Sequence, residues 1–254
     1  MKNLSDKSIV LSSYSFFLAL AAVFAAVAVI FSSPALRMTE EEAARLADSG
    51  AVKSKPTLTV IIDAGHGGED GGAVAADGTC EKDINLEIAR RLYLILTSYG
   101  IDCRMTRDDD IMLSDGEGGT KKMRDLKRRI AATEGGGCIF LSIHQNKFPD
   151  ESCRGTQIYY SKNAPESQKL ASDLQNAVKT YLQPDNKRQI KPAGSEIFVL
   201  DRCTVPAVLA ECGFLSNPGE LSLLKTEDYQ KKLCCVIAFS VAGFLLDGPA
   251  PGPS

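Results

Sequence analysis

Between Thr57 and Leu246 short apolar runs alternate with segments of helical period, and that alternation most restricts what the chain can fold into. The runs at Thr59 to Ile62, Ile101 to Met105, Cys138 to Ile143, Gly155 to Tyr160, Ser195 to Leu200 and Pro206 to Ala210 predict strands. Lys82 to Ser98, Lys121 to Thr133, Pro165 to Leu182 and Thr226 to Leu246 predict helices. Strands without polar alternation are covered on both faces. The expected fold class is therefore α/β: a single twisted, mostly parallel or mixed sheet with helices on both faces. Within it, the charge run K-K-M-R-D-L-K-R-R reads as a solvated helix face rather than a polyanion site.

Ahead of this region lies a different composition. Ile9 to Phe31 is free of charge, follows Lys2 and Lys7, and is long enough to span a bilayer as a transmembrane helix. A cleavable signal normally has a shorter apolar core of about 7 to 15 residues, so an uncleaved anchor is expected despite Ser33-Pro34-Ala35. Lysines before it and Glu40 to Glu42 after it orient the N-terminus to the cytoplasm. The expected organisation is a cytoplasmic 1–8, an anchor at 9–31, a linker at 32–55, a catalytic domain at 56–247 and a disordered tail at 248–254. The protein is then single-pass in the cell membrane with an extracytoplasmic domain. As a flexible chain the linker reaches only about 25 to 30 Å, which suits local work close to a membrane. A net charge of −3 and the absence of tryptophan argue against nucleic-acid partners. Eight cysteines form no C-x-x-C pair, which excludes a zinc ribbon, and the expectation is free thiols packed as small hydrophobes.

The candidate chemistry begins at T-V-I-I-D-A-G-H-G-G-E-D-G-G, residues 59–72, where a buried strand passes into a glycine-rich loop holding His66. His144, the only other histidine, follows the apolar run Cys138 to Ile143, and Glu211 follows Pro206 to Ala210. Three strand ends thus carry groups that bind metal or move protons, and Glu81 opens the next helix. Taken singly, each has a bland explanation as a hydrogen-bonded histidine or a helix-capping glutamate. Together, two imidazoles and a carboxylate suit a three-ligand catalytic zinc site with open positions, and Glu211 then serves as the base. Glu69 competes with Glu81 as ligand, but a helix start holds Glu81 more rigidly. A phosphate-binding loop is excluded, because neither G-x-G-x-x-G nor G-x-x-x-x-G-K-[ST] is matched and Asp63, Glu69 and Asp70 repel phosphate.

The motifs I-I-D-A-G-H-G-G-x-D-x-G, E-K-D-I-N-L, S-I-H-x-N and P-A-V-L-x-E-x-G-F-L-S-N resemble those of the zinc-dependent N-acetylmuramoyl-L-alanine amidases, over about Thr57 to Leu246. The resemblance implies zinc ligation by His66, Glu81 and His144, catalysis by Glu211, and hydrolysis of the amide joining N-acetylmuramic acid to L-alanine in peptidoglycan. S-I-H-Q-N-K-F-P-D, P-D-N-K-R and the single anchor are most similar to the short membrane-anchored amidases of spore-cortex maturation. That implies removal of stem peptides before muramic lactam formation. The competing readings are vegetative wall remodelling, a zinc peptidase on wall peptides, and an inactive wall-binding regulator; loss of a site residue would favour the last, and none is lost. Larger family members carry a helix after the second histidine that blocks the zinc. Gln145 to Arg154 is too short for one, so an unblocked site is expected. The sequence is silent on whether an activator protein is needed.

Overall fold

A computed structural model describes residues 58–247; the expected anchor, linker and tail lie outside the described residues. The elements are β1 (Thr59–Ala64), α1 (Glu81–Ser98), β2 (Cys103–Met105), α2 (Lys121–Ala131), β3 (Cys138–Asn146), β4 (Gln157–Tyr160), α3 (Glu166–Tyr181), β5 (Lys191–Pro192), α4 (Phe198–Arg202), β6 (Ala207–Phe214), α5 (Pro218–Leu224) and α6 (Glu227–Asp247). The six strands form one sheet in the order β2-β1-β3-β6-β4-β5. All neighbours are parallel except β4 and β6, so the sheet is mixed.

The two faces of the sheet are unequal. Val60, Ile62, Ile139, Leu141, Ile143, Val208 and Ala210 project into a large core shared with α1, α3 and α6. The alternate residues Ile61, Phe140, Ala207 and Leu209 meet a smaller cluster beneath α2 and α4. This alternation follows from the twofold side-chain period of a strand. α1 is set by Ile84, Ile88, Ala89, Leu92 and Leu96, which recur on one face and are all buried. α6 is long and apolar enough to cross a membrane by length and composition, but it packs against α1 and α3.

Several sequence expectations need correcting. The strand expected over Ser195 to Leu200 is absent: Phe198–Arg202 forms a short helix that buries Val199 and Leu200, and the edge strand is the two-residue β5. An apolar run of that length satisfies either period, and only what it packs against decides. α5 has no counterpart among the expected helices, although Asn217 accepts a hydrogen bond from Glu220 N at 3.0 Å and Pro218 follows it, an ordinary helix start. β3 and β6 run three and four residues past their expected ends, so His144 and Glu211 lie inside strands rather than beyond them. In α2, Asp125 and Arg129 are buried, so the face read as solvated is so only in part. All eight cysteines are free; Cys138 and Cys234 are buried as expected, whereas Cys235 is exposed.

Phe140 is fully buried in the smaller cluster, and Leu94 on α1 is 66% exposed. Phe140→Ala is expected to lower unfolding free energy by about 3 to 5 kcal/mol through loss of transfer energy and an unfilled cavity, against under about 0.5 kcal/mol for Leu94→Ala. Urea denaturation of the two variants side by side checks this.

Candidate active site

β1 and β3 are parallel neighbours, and β6 is parallel to β3 on its other side, so the three strands deliver their C-terminal ends to one edge. His144 on β3 is the register partner of Glu211 on β6. His66 follows two residues after β1. Glu81 is the first residue of α1, whose N-terminal end carries positive partial charge that favours a carboxylate. The structure thus brings all four sequence-predicted residues together. His66, Glu81 and His144 each offer a ligand atom within 4.8 Å of the others, and the two imidazole centroids are 4.9 Å apart.

Glu81 is the hub. Its Oε1 lies 2.8 Å from His144 Nδ1 and accepts hydrogen bonds from Gln145 N at 3.1 Å and Asn85 Nδ2 at 3.2 Å. Its Oε2 lies 3.2 Å from His66 Nε2 and accepts from Ala73 N at 2.9 Å. Burial by itself would raise the Glu81 carboxyl, but the two imidazoles outweigh it and hold the group well below the usual carboxylate range. Two glycines make room for the cluster. A Cβ on Gly72, which has φ 68°, would come within 2.6 Å of Glu81 Oε2 and 2.8 Å of His66 Cδ2. One on Gly65 would overlap the His144 ring.

Glu211 stands in the opposite environment. Its Oε2 is buried without a hydrogen-bond partner. Burial pushes the carboxyl up to about 7; His144 opposes the rise, Glu81 adds to it and His66 opposes it more weakly. An ionisable group near 7 with an unpaired oxygen is poised to take and release a proton.

The residues that hold His66 were not singled out from the sequence. His66 has φ 61°, a left-handed conformation that costs a non-glycine residue about 1 kcal/mol or more. Asp70 Oδ2 lies 2.9 Å from His66 Nδ1, leaving Nε2 for the cluster, and Lys122 on α2 pairs with the same carboxylate. Burial raises the Asp70 carboxyl, but Lys122 and His66 bring it down to about 2. Glu69, the competing ligand, is exposed and pairs with Lys121 at 2.7 Å, away from the cluster. Arg129 Nη2 donates to His66 O at 2.6 Å and Nη1 to Ala64 O and Asp63 Oδ1 at 2.7 Å each. Arg107 adds Nε to Ala64 O at 2.8 Å and Nη2 to Gly65 O at 3.0 Å. The signals were present as H-x-x-x-D and E-x-x-x-N spacings at Asp70 and Asn85. Nothing local marks Arg107 or Arg129. The segment from Lys147 to Thr156 contains no helix.

Comparison with known proteins adds a family. The family model described as N-acetylmuramoyl-L-alanine amidase matches residues 60–242. The germination-specific N-acetylmuramoyl-L-alanine amidase of Bacillus subtilis (strain 168) is 34% identical over 182 residues, covering 70% of this chain and 76% of that protein. Amidase AmiA of Escherichia coli (strain K12) is 28% identical over 237 residues, or 76% of this chain and 78% of that one. The structure of the CwlD amidase from Clostridioides difficile, solved in complex with the GerS lipoprotein, superposes with a TM-score of 0.71 at 37% identity. It covers 75% of this chain and 100% of that chain.

Arg129→Met leaves Asp63 buried without its main counter-charge, and is expected to destabilise the domain by about 3 to 5 kcal/mol. Burial alone would raise the Asp63 carboxyl, but Arg129, Ser142 and Thr106 together hold it below its ordinary 3.8. Stability from its ionisation is therefore fully present above about pH 4 and is lost as pH falls through the depressed value. Urea midpoints measured from pH 7 to pH 2.5 should show this contribution flat above pH 4 and declining below it in the wild type. Equal midpoints for wild type and Arg129→Met at pH 7 would contradict the role given to this pair.

Proposed function

The chain belongs to the N-acetylmuramoyl-L-alanine amidase family and is a peptidoglycan amide hydrolase, and on that premise we propose a zinc-dependent division of labour in which His66, Glu81 and His144 hold the ion and Glu211 moves the proton. The observation that carries this is the pairing of opposites across β3 and β6: a cluster of three donors, and beside it a buried carboxylate with no partner. The donor set fits zinc, since two imidazoles and one carboxylate leave room for substrate. Gly65 and Gly72 keep clear the space that side chains would fill. Held by these three residues, zinc would supply Lewis acidity for the scissile carbonyl and lower the pKa of water.

The protein's own groups do the rest. Asp70, within hydrogen-bond distance of Nδ1, orients the His66 ring and directs Nε2 to the cluster. Gln145 N, Asn85 and Ala73 N fix the Glu81 carboxylate before any ligand arrives. Glu211, near neutrality in its acidity, accepts a proton from the attacking water and passes it to the departing amine of L-alanine. Expected outcomes separate the two roles. A His66→Ala, His144→Ala double variant should lose about one zinc per chain. Glu211→Gln should keep the metal and release free stem peptides from purified sacculi at least about a hundredfold more slowly. Metal analysis and product mass spectrometry on the same preparations read both, and cut cross-links in place of free stem peptides would indicate a peptidase.

The biological task we propose is cortex maturation, the removal of stem peptides that precedes muramic lactam formation. The germination-specific and CwlD relatives support it, as does an apolar 9–31 suited to anchoring an extracytoplasmic enzyme beside the membrane. The CwlD amidase was solved with a lipoprotein, and a membrane-associated protein partner is proposed here on that ground. Spores lacking the gene should contain little muramic lactam by muropeptide analysis. Unchanged lactam would reject the cortex role in favour of vegetative wall remodelling.

A further inference from the structure

A groove of about 1070 Å³ opens between the loops at 152–155 and 182–188 and the start of α5. The chemistry above makes no use of it. Its charged lining is Arg154, Lys187 and Arg188 against Asp185 and Glu220, three positive groups to two negative. Glu220 is turned inward, because its two oxygens accept hydrogen bonds from Gly155 N and Phe214 N at 2.8 Å each. The charged lining is thus positive by one, with Glu220 facing Arg188 and Arg154.

Arg188 is the best-fixed of these cations. Its guanidinium carbon sits 4.3 Å from the centroid of the Phe214 ring. Nε donates to Arg154 O at 2.9 Å and Nη1 to Gln157 Oε1 at 3.0 Å. Among the described residues Nη2 has no hydrogen-bond partner. Gln157 is buried and lies directly opposite Glu211 in the antiparallel β4 and β6 pair, so the two side chains share one face with Cβ atoms about 4.5 to 5.5 Å apart. A half-buried guanidinium, immobilised on three sides with donors to spare, thus stands one side chain away from the proposed base.

We propose that this groove takes the peptide half of the substrate and that Arg188 recognises a carboxylate on it, an inference that rests on the amidase reading. The amide cleaved is at the peptide's amino end, so the leaving half retains at least its C-terminal carboxylate, while the glycan half offers mainly hydroxyls. A guanidinium already fixed over an aromatic ring by two hydrogen bonds loses little freedom on binding a carboxylate and pairs with it more strongly than a neutral donor would. Arg188 is then a specificity residue, with no part in the bond-breaking step.

The test compares a free stem tetrapeptide with the same peptide amidated at its carboxylates. Calorimetry on the full chain, wild type and Arg188→Gln, is run beside steady-state kinetics on the matching muropeptides. The wild type should bind the acidic peptide at least about tenfold more tightly than the amidated one, the size of a charge-assisted hydrogen bond. Arg188→Gln should erase that preference and raise KM for the acidic substrate about tenfold, with kcat within about twofold. Arg188→Lys, which keeps the charge without the planar fork, should fall between them. Equal binding of the two peptides by the wild type, a measurement that needs no variant, would overturn the assignment, as would an undiminished preference in Arg188→Gln. Preferential peptide binding without turnover of any muropeptide would uphold Arg188 and reject the amidase reading, whereas turnover without preference would do the reverse.

Discussion

Arg129 carries its charge into the interior at 2% exposure, and a lone ion there would cost several kcal/mol unless everything around it were arranged to accept it. Asp63 at 2.7 Å and Asp125 at 2.8 Å neutralise it, and Ser142 and Thr106 donate to Asp63 in turn. The same guanidinium binds Ala64 O and His66 O, carbonyls that β1 leaves unpaired as it runs out of sheet. Arg107 satisfies Gly65 O between them. A loop of glycines would otherwise sample many conformations. Here the carbonyls of Ala64, Gly65 and His66 at its entry are tied to two buried cations, and the unfavourable backbone of His66 becomes the conformation that the surrounding hydrogen bonds require.

That rigidity matters because the candidate site sets two carboxylates in opposite environments. Glu81 is surrounded by three N–H donors and two imidazoles, which stabilise its charge. Glu211, one strand further along the sheet, has burial and no hydrogen bond to its Oε2, which disfavours charge. Environments that push neighbouring acids apart in acidity assign them different tasks, one suited to holding a cation and the other to exchanging a proton. The thinner layer of the fold has a part in this. α2 and α4 cover less of the sheet than α1, α3 and α6 do, and His144 and Glu211 stand at the strand positions that alternate toward that lightly covered face. Gln157 continues the row beyond Glu211 and accepts a hydrogen bond from Arg188 at the groove.

Much of this was legible in the order of residues. Apolar β-branched runs reported the central strands, because a strand covered on both faces has no polar alternation to obscure it. The four principal site residues could be named because each sits at or near the C-terminal end of such a run, or at a helix start, and the sheet gathers those ends at one edge. Short segments were less readable. Phe198–Arg202 satisfies either period, and its helical form is set by the pocket that Val199 and Leu200 fill. The length of β3 and β6 was also hidden: Ser142, His144 and Glu211 are polar residues that continue a ladder, and a polar residue in sequence looks like the end of one.

The sequence by itself determined the α/β class and the strand and helix alternation, and it singled out His66, Glu81, His144 and Glu211 as candidates that the fold then brings together, since these follow from local periodicity and residue type. Only the tertiary structure decided which charges are buried and with whom. Arg129 lies 66 residues from Asp63 and 63 from His66, in a helix whose other basic residues face solvent or the loop. Nothing in its neighbours distinguishes it from Arg128. The same holds for Arg188, whose position over Phe214 and against Gln157 depends on three segments meeting. A charge's environment, unlike its identity, is a property of residues distant in the chain, because the electrostatics that shift acidity and fix orientation act through space at a few ångströms rather than along the backbone.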